Sequence, residues 1–207
     1  MNTVAVDHRL IKPSKIVCVG RNYVEHITEL NNDMPDQMVL FIKPNSAIST
    51  KLNSVHLEPL HYEAELCFMV ENGQFTAVGL GLDLTKRGLQ TQLKAKGLPW
   101  ERAKAFDGSV VFSKFITLDS NNGQVSDTLT FELLINDVVI QFGNISLMIN
   151  KPADILQEIT DFMSLVDGDI VMTGTPKGVG VVNGGDMFRA KLFDKDRLLT
   201  EIEWLAL

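Results

Sequence analysis

Cysteine is scarce in this chain, with Cys18 and Cys67 the only two in 207 residues. Both stand in apolar, strand-like runs, so they are expected to be reduced core residues rather than a disulfide or a metal-binding pair. Basic clusters are missing as well. The net charge is −7, which argues against a nucleic-acid partner. No apolar run approaches the roughly 20 residues that span a bilayer, and the first ten residues mix Asp7, His8 and Arg9 with apolar ones rather than forming a leader. A soluble, cytoplasmic protein with no membrane partner is therefore expected. There is no internal repeat, low-complexity stretch or linker, so the expectation is one domain over 1–207, with 1–13 as an N-terminal extension.

The segments that remain are mostly short, apolar and punctuated by turn residues, as in a β-rich α+β domain with a few short helices. Strands are expected at 16–19, 39–42, 63–70, 77–84, 110–118 and 169–172, with one or two more in the tail from 186. A hairpin over 129–140 would turn at Asn136-Asp137. Helices are expected from Asn22, as cap, to about Leu30, over 85–96 closed by Gly97 and Pro99, and over 152–162, where Ile155, Leu156, Ile159 and Phe162 share a face.

Chemistry is concentrated in His61-Tyr62-Glu63-Ala64-Glu65-Leu66. Residues i and i+2 of a strand share a face, so Glu63 and Glu65 stand side by side next to an apolar run. Two such anions resist burial unless something positive lies between them, and a hard divalent cation bound through oxygen suits that role. An edge strand with a solvated polar face is the plainer account of the pair alone. Asp83 is available as a third carboxylate, though an acid entering a helix can also serve the helix dipole. His26 and Glu29, three apart, would face each other on a helix; the carboxylate would fix the imidazole tautomer and leave the other nitrogen to take a proton from water. An ordinary surface pair is the alternative. Lys104 could neutralise developing negative charge or be a solvated lysine. The run from Thr173 to Gly180 could bring backbone amides to an anion, and it lacks P-loop spacing.

Taken in order, these segments resemble the fumarylacetoacetate hydrolase family, and specifically its small acylpyruvate hydrolase and oxaloacetate decarboxylase branch. The carrying residues are 17–23 with His26 and Glu29, 39–44, 61–66, 82–85, 97–100 with 103–107, Gly168-Asp169-Ile170, and Thr173-Gly174-Thr175-Pro176-Lys177-Gly178-Val179-Gly180. The resemblance implies a mixed β-roll, a homodimer, and Mg²⁺ or Mn²⁺ on Glu63, Glu65 and Asp83, with Lys104 as the nearby cation. It implies further that His26 and Glu29 form a water-activating dyad on a closing lid, and that Arg21, Tyr23, Gln90 and Thr175 line a pocket for a small 2-oxo acid. The implied activity is hydrolysis of the C–C bond of acylpyruvates to pyruvate and a carboxylic acid. Oxaloacetate decarboxylation, isomerisation of unsaturated 2-oxo diacids and a silent metal-binding scaffold are the alternatives. Three departures stand out: the link from Glu65 to Asp83 is short, Gly88 replaces a common aspartate, and Phe142, Ile145 and Asn150 are unusual in a segment expected to border substrate.

Overall fold

The computed structural model describes residues 1–30, 33–118 and 125–207. Its main sheet runs in the order Val39–Pro44, Lys15–Gly20, Ile170–Met172, Ala64–Glu71, Gln74–Asp83, Val110–Phe112, Ile48–Ser49, and Ile116–Thr117 pairs with the Gln74–Asp83 strand. A second, antiparallel sheet of Val138–Asn144, Leu129–Ile135, Met187–Asp194 and Arg197–Leu205 packs against it. The described elements include four α-helices: α1 (Val24–Glu29), α2 (Arg87–Ala95), α3 (Glu101–Lys104) and α4 (Pro152–Phe162). This is the β-rich α+β architecture expected.

The main sheet is buried on both faces, which is why its strands read as apolar runs rather than alternating ones. Val17, Val19, Leu66, Phe68 and Val70 point to the larger core and meet Phe131, Leu133, Phe188 and Leu192 of the second sheet. Ile16, Cys18, Cys67 and Met69 point the other way, into a smaller core closed by Val4, Val6 and Phe115. Residues 1–13, read from the sequence as an extension, thus supply a hairpin, Val4–Val6 with Arg9–Ile11, that covers this outer face. Cys18 and Cys67 flank Met172 on opposite neighbouring strands. Two strand spacings, about 9.5 Å, are too far for a disulfide, and both thiols are free.

The Asn136-Asp137 turn is as expected: both residues have positive φ (50° and 65°), the geometry of a tight two-residue hairpin. The short link between Glu65 and Asp83 is another such hairpin, turning at Asn72 (φ 52°) and Gly73 (φ 71°). Helix α4 occupies the expected span, although Phe162 faces solvent while Ile155 and Ile159 are buried. Three expectations are corrected. Asn22 does not cap α1, which begins after Tyr23; its buried amide instead donates to the Asn150 (3.0 Å) and Thr173 (2.9 Å) carbonyls. The 110–118 run is two short strands rather than one, because Phe115 turns inward to fill the smaller core. The Ala64–Glu71 strand lies inside the sheet, so the edge-strand account of Glu63 and Glu65 does not hold.

Candidate active site

The chain breaks between the His61–Tyr62 and Ala64–Glu71 strands at Glu63, whose carbonyl accepts from the Asp83 amide across the ladder (2.8 Å). Glu65 follows two residues on, opposite Gly81. One oxygen from each of Glu63, Glu65 and Asp83 lies within 4.8 Å of the others, and all three residues are buried.

The counter-charges are unevenly shared. Lys104, 2% exposed, bridges Glu63 (2.9 Å), Asp83 (2.6 Å) and the Thr85 hydroxyl (2.6 Å), so it is no solvated lysine. It reaches them from α3, a single turn that the sequence reading missed. Arg87 at the start of α2 pairs with the other Glu63 oxygen and donates to Gln90 (2.9 Å). Lys43, fully buried, lies 2.8 Å from Asp83 Oδ1 and donates to the Lys104 carbonyl and to Ser109 Oγ (3.1 Å). Among the described residues Glu65 forms no ion pair; its bond comes from the Gly174 amide (2.7 Å). Gly174 is required there, since its φ is 92° and a Cβ would stand 2.9 Å from Asn22 Cβ.

Acidity follows that distribution. Burial works to raise Glu63, but Lys104 and Arg87 outweigh it and hold the carboxyl far below the usual range. Burial raises Glu65 well above that range, and Asp83 and Glu63 push it further. Burial pulls Lys104 down, yet Asp83 and Glu63 together keep it above an ordinary lysine. The site fits a hard divalent cation: three buried carboxylates converge, Glu65 lacks a counter-charge, and Asp83 Oδ1 receives no aligned hydrogen bond despite the nearby Lys43.

Helix α1 closes over this cluster. His26 Nδ1 lies 3.3 Å from Glu29 Oε2, and the Gly178 amide donates to Glu29 Oε1 (2.9 Å). His26 is buried, which lowers its pKa below the usual imidazole value against the pull of Glu63 and Glu29. The amides of the 173–180 run therefore do meet anions, and those anions are Glu65 and Glu29.

The cavity bounded by these groups is lined by Arg21, His26, Gln90 and Thr175 together with the carboxylates and Lys104. Tyr23 is the expected contact that the structure puts elsewhere: it packs in the larger core and does not line the cavity. Phe142, Ile145 and Asn150 do not line it either. Gln141, from the same segment, supports the wall from behind. Its side chain accepts from the Ala64 amide (3.0 Å) and donates to Thr175 Oγ1 (2.9 Å), tying the carboxylate strand to the Thr175 turn. Sequence reasoning missed Lys43, Arg87 and Gln141. Only Arg87 carried a local signal, its spacing of three from Gln90 on α2.

A family profile described as fumarylacetoacetate (FAA) hydrolase C-terminal matches residues 15–205. The chain is 38% identical over 205 residues to the mitochondrial oxaloacetate tautomerase oaa1 of Schizosaccharomyces pombe, covering 88% of this chain and 90% of that one. It is 35% identical over 204 residues to the oxaloacetate tautomerase YcgM of Escherichia coli, covering 91% and 92%. Among solved structures, a candidate fumarylacetoacetate isomerase/hydrolase from Oleispira antarctica superimposes with a TM-score of 0.93 at 33% identity, over 100% of both chains. The fumarylpyruvate hydrolase of Pseudomonas aeruginosa, solved with Mn²⁺ and pyruvate, gives 0.86 at 25% identity over 100% of this chain and 96% of that one. The profile takes in the whole cavity, from Val19 to Thr175, and the chain belongs to the fumarylacetoacetate hydrolase family of enzymes.

Proposed function

We propose that the protein interconverts the keto and enol forms of a small 2-oxo diacid, with oxaloacetate as the substrate, and that it does so with Mg²⁺ or Mn²⁺. The observation that carries this reading is the presence in one cavity of a proton acceptor, His26 backed by Glu29, and a buried cation, Lys104. A divalent cation on Glu63, Glu65 and Asp83 would supply a Lewis acid to the carboxylate and keto oxygens of the substrate. Glu29 holds His26 Nδ1, so Nε2 takes the proton from C3. The C–H electron pair moves into C2–C3 while the C2=O pair moves to oxygen, where the Lys104 ammonium offsets the charge and a proton from solvent gives the enol. Gln90 and Thr175 orient the substrate. The two tautomerase relatives support this reading over the acylpyruvate hydrolysis expected from the sequence. Hydrolysis stays as the second reading because the P. aeruginosa relative is a fumarylpyruvate hydrolase. In that case His26 would deprotonate water instead of carbon.

The test is the enol–keto interconversion of oxaloacetate, followed by enol absorbance, with pyruvate release from acetylpyruvate and from oxaloacetate measured in parallel. Metal-dependent interconversion without pyruvate release is expected; acetylpyruvate cleavage alone would establish the second reading. His26→Ala is expected to lower kcat by about 10²–10⁴-fold. Because the pKa of His26 is lowered, the base is neutral at pH 7, and kcat/KM should fall only as pH drops below about 6.5. An acid limb above pH 7 would contradict this assignment.

The homodimer implied by the resemblance is also proposed. It is supported by Val138, Val139, Ile140 and Phe142, exposed along an outer strand of the second sheet. Sedimentation equilibrium should return twice the 23.0 kDa chain mass, and a monomer at micromolar concentration would exclude it.

A further inference from the structure

Helix α2 carries three polar residues toward the cavity, Arg87, Gln90 and Lys94, spaced i, i+3, i+7 and hence on one face. The first two belong to the inner end: Arg87 binds Glu63, and Gln90 binds Arg87. Lys94 lies one turn further out, about 6 Å along the axis from Gln90 at 1.5 Å per residue. Its ammonium is held over the Trp100 ring, 4.7 Å from the centroid, and Trp100 itself lines the cavity. Among the described residues no carboxylate lies within ion-pair distance of it. Lys43, Arg87 and Lys104 are engaged with the carboxylate cluster, whereas Lys94 is not.

We propose that Lys94, positioned by Trp100, binds the distal carboxylate of the substrate and so selects 2-oxo diacids over 2-oxo acids with an apolar tail. The proposal rests on the reading above, in which the 2-oxo head of the substrate sits at the Glu63–Glu65–Asp83 cluster. With the head there, the far carboxylate of a four-carbon diacid extends along α2 past Gln90, toward Lys94. An apolar acyl tail on the same path would strip water from an ammonium without giving it a partner. The environment of Lys94 supports the assignment: burial lowers its pKa to about 8, and Arg21, Arg87 and Lys104 add to that, so an arriving anion relieves an unfavourable charge. The plain alternative is a lysine completing the last turn of a helix, where its charge suits the dipole.

Steady-state kinetics on the metal-loaded enzyme separate the two, using wild type, Lys94→Met and Lys94→Arg. Oxaloacetate serves as substrate and oxalate as inhibitor, since oxalate is also a dianion but has no distal group. Lys94→Met should raise KM for oxaloacetate about tenfold or more, with most of the fall in kcat/KM in KM, and Lys94→Arg should recover most of it. The inhibition constant of oxalate should change less than about twofold, which also shows that the variant is folded with its inner site intact. An unchanged KM in Lys94→Met would overturn the proposal. Equal weakening of oxalate and oxaloacetate would do so too, because a general field acts on both dianions. A wild-type enzyme that cleaves acetylpyruvate and leaves oxaloacetate untouched would instead overturn the underlying reading, and the assignment of Lys94 with it.

Discussion

Glu65→Gln is expected to leave the metal-free protein at least as stable as the wild type while removing about half or more of the stabilisation that bound Mg²⁺ or Mn²⁺ would give. Glu65 is the one carboxylate of the cluster without a counter-charge, and burial with Asp83 and Glu63 raises its pKa well above the usual range. The raised pKa favours the neutral carboxyl in the metal-free protein, and glutamine reproduces its shape and keeps an acceptor for the Gly174 amide. For the wild type, metal at a hundredfold excess over Kd adds about 2.7 kcal/mol, a rise in Tm of about 5–10 °C for a chain of this size. Asp83→Asn should behave oppositely. It leaves Lys43, which is 0% exposed, with no carboxylate partner among the described residues, at a cost of about 3–5 kcal/mol before any metal is added. Thermal melts of the three proteins, with and without metal, check both signs. A Glu65→Gln protein that melts well below wild type in the absence of metal would show that Glu65 is held as a charged structural group.

Asp169→Ala should be the most destabilising single change outside the site. Its buried carboxylate accepts from Ser14 N (3.1 Å) and Oγ (2.6 Å), Lys15 N (3.2 Å) and Nζ (2.5 Å), and Val166 N (3.0 Å). It thereby joins the starts of the Lys15–Gly20 and Ile170–Met172 strands, a parallel pair that no short turn can hold in register. Truncation strands several donors and the Lys15 charge, with an expected loss of about 3–5 kcal/mol and about 10 °C in Tm. Burial works to raise the pKa of Asp169, but the bonds from Lys15 and Ser14 prevail and lower it. The contribution is therefore complete above the unfolded value of about 4 and is lost as pH falls through the lower, folded value. Urea denaturation at pH 7 and at pH 3 measures both effects. A loss under about 1 kcal/mol at pH 7 would contradict this account.

Much of the site was legible because its chemistry is local. The spacing of Glu63 and Glu65 puts two acids on one side of a strand, and that of His26 and Glu29 puts a base against its partner on one helical turn. The resemblance then added Asp83 and Lys104 from elsewhere in the chain. Lys43 and Gln141 were not legible because each acts across the fold. Lys43 reaches Asp83 from the edge strand Val39–Pro44, four places away in the sheet order, and Gln141 reaches Thr175 from the second sheet. Nothing in their own neighbourhoods distinguishes them from surface residues. The strands suffered from the same cause. With both faces of the main sheet buried, alternation disappears, so the break at Phe115 and the covering role of residues 1–13 emerge only from the packing. The α4 helix and the Asn136-Asp137 hairpin, whose signals are periodicity and turn chemistry, came through with little change.

The central claim is that Glu63, Glu65 and Asp83 form the metal centre on which the chemistry depends. Calorimetric titration of Mn²⁺ into metal-stripped wild type and Glu65→Gln tests it most directly. One Mn²⁺ per chain should bind to wild type, and Glu65→Gln should bind at least about tenfold more weakly. Equal affinity in the two proteins would contradict it.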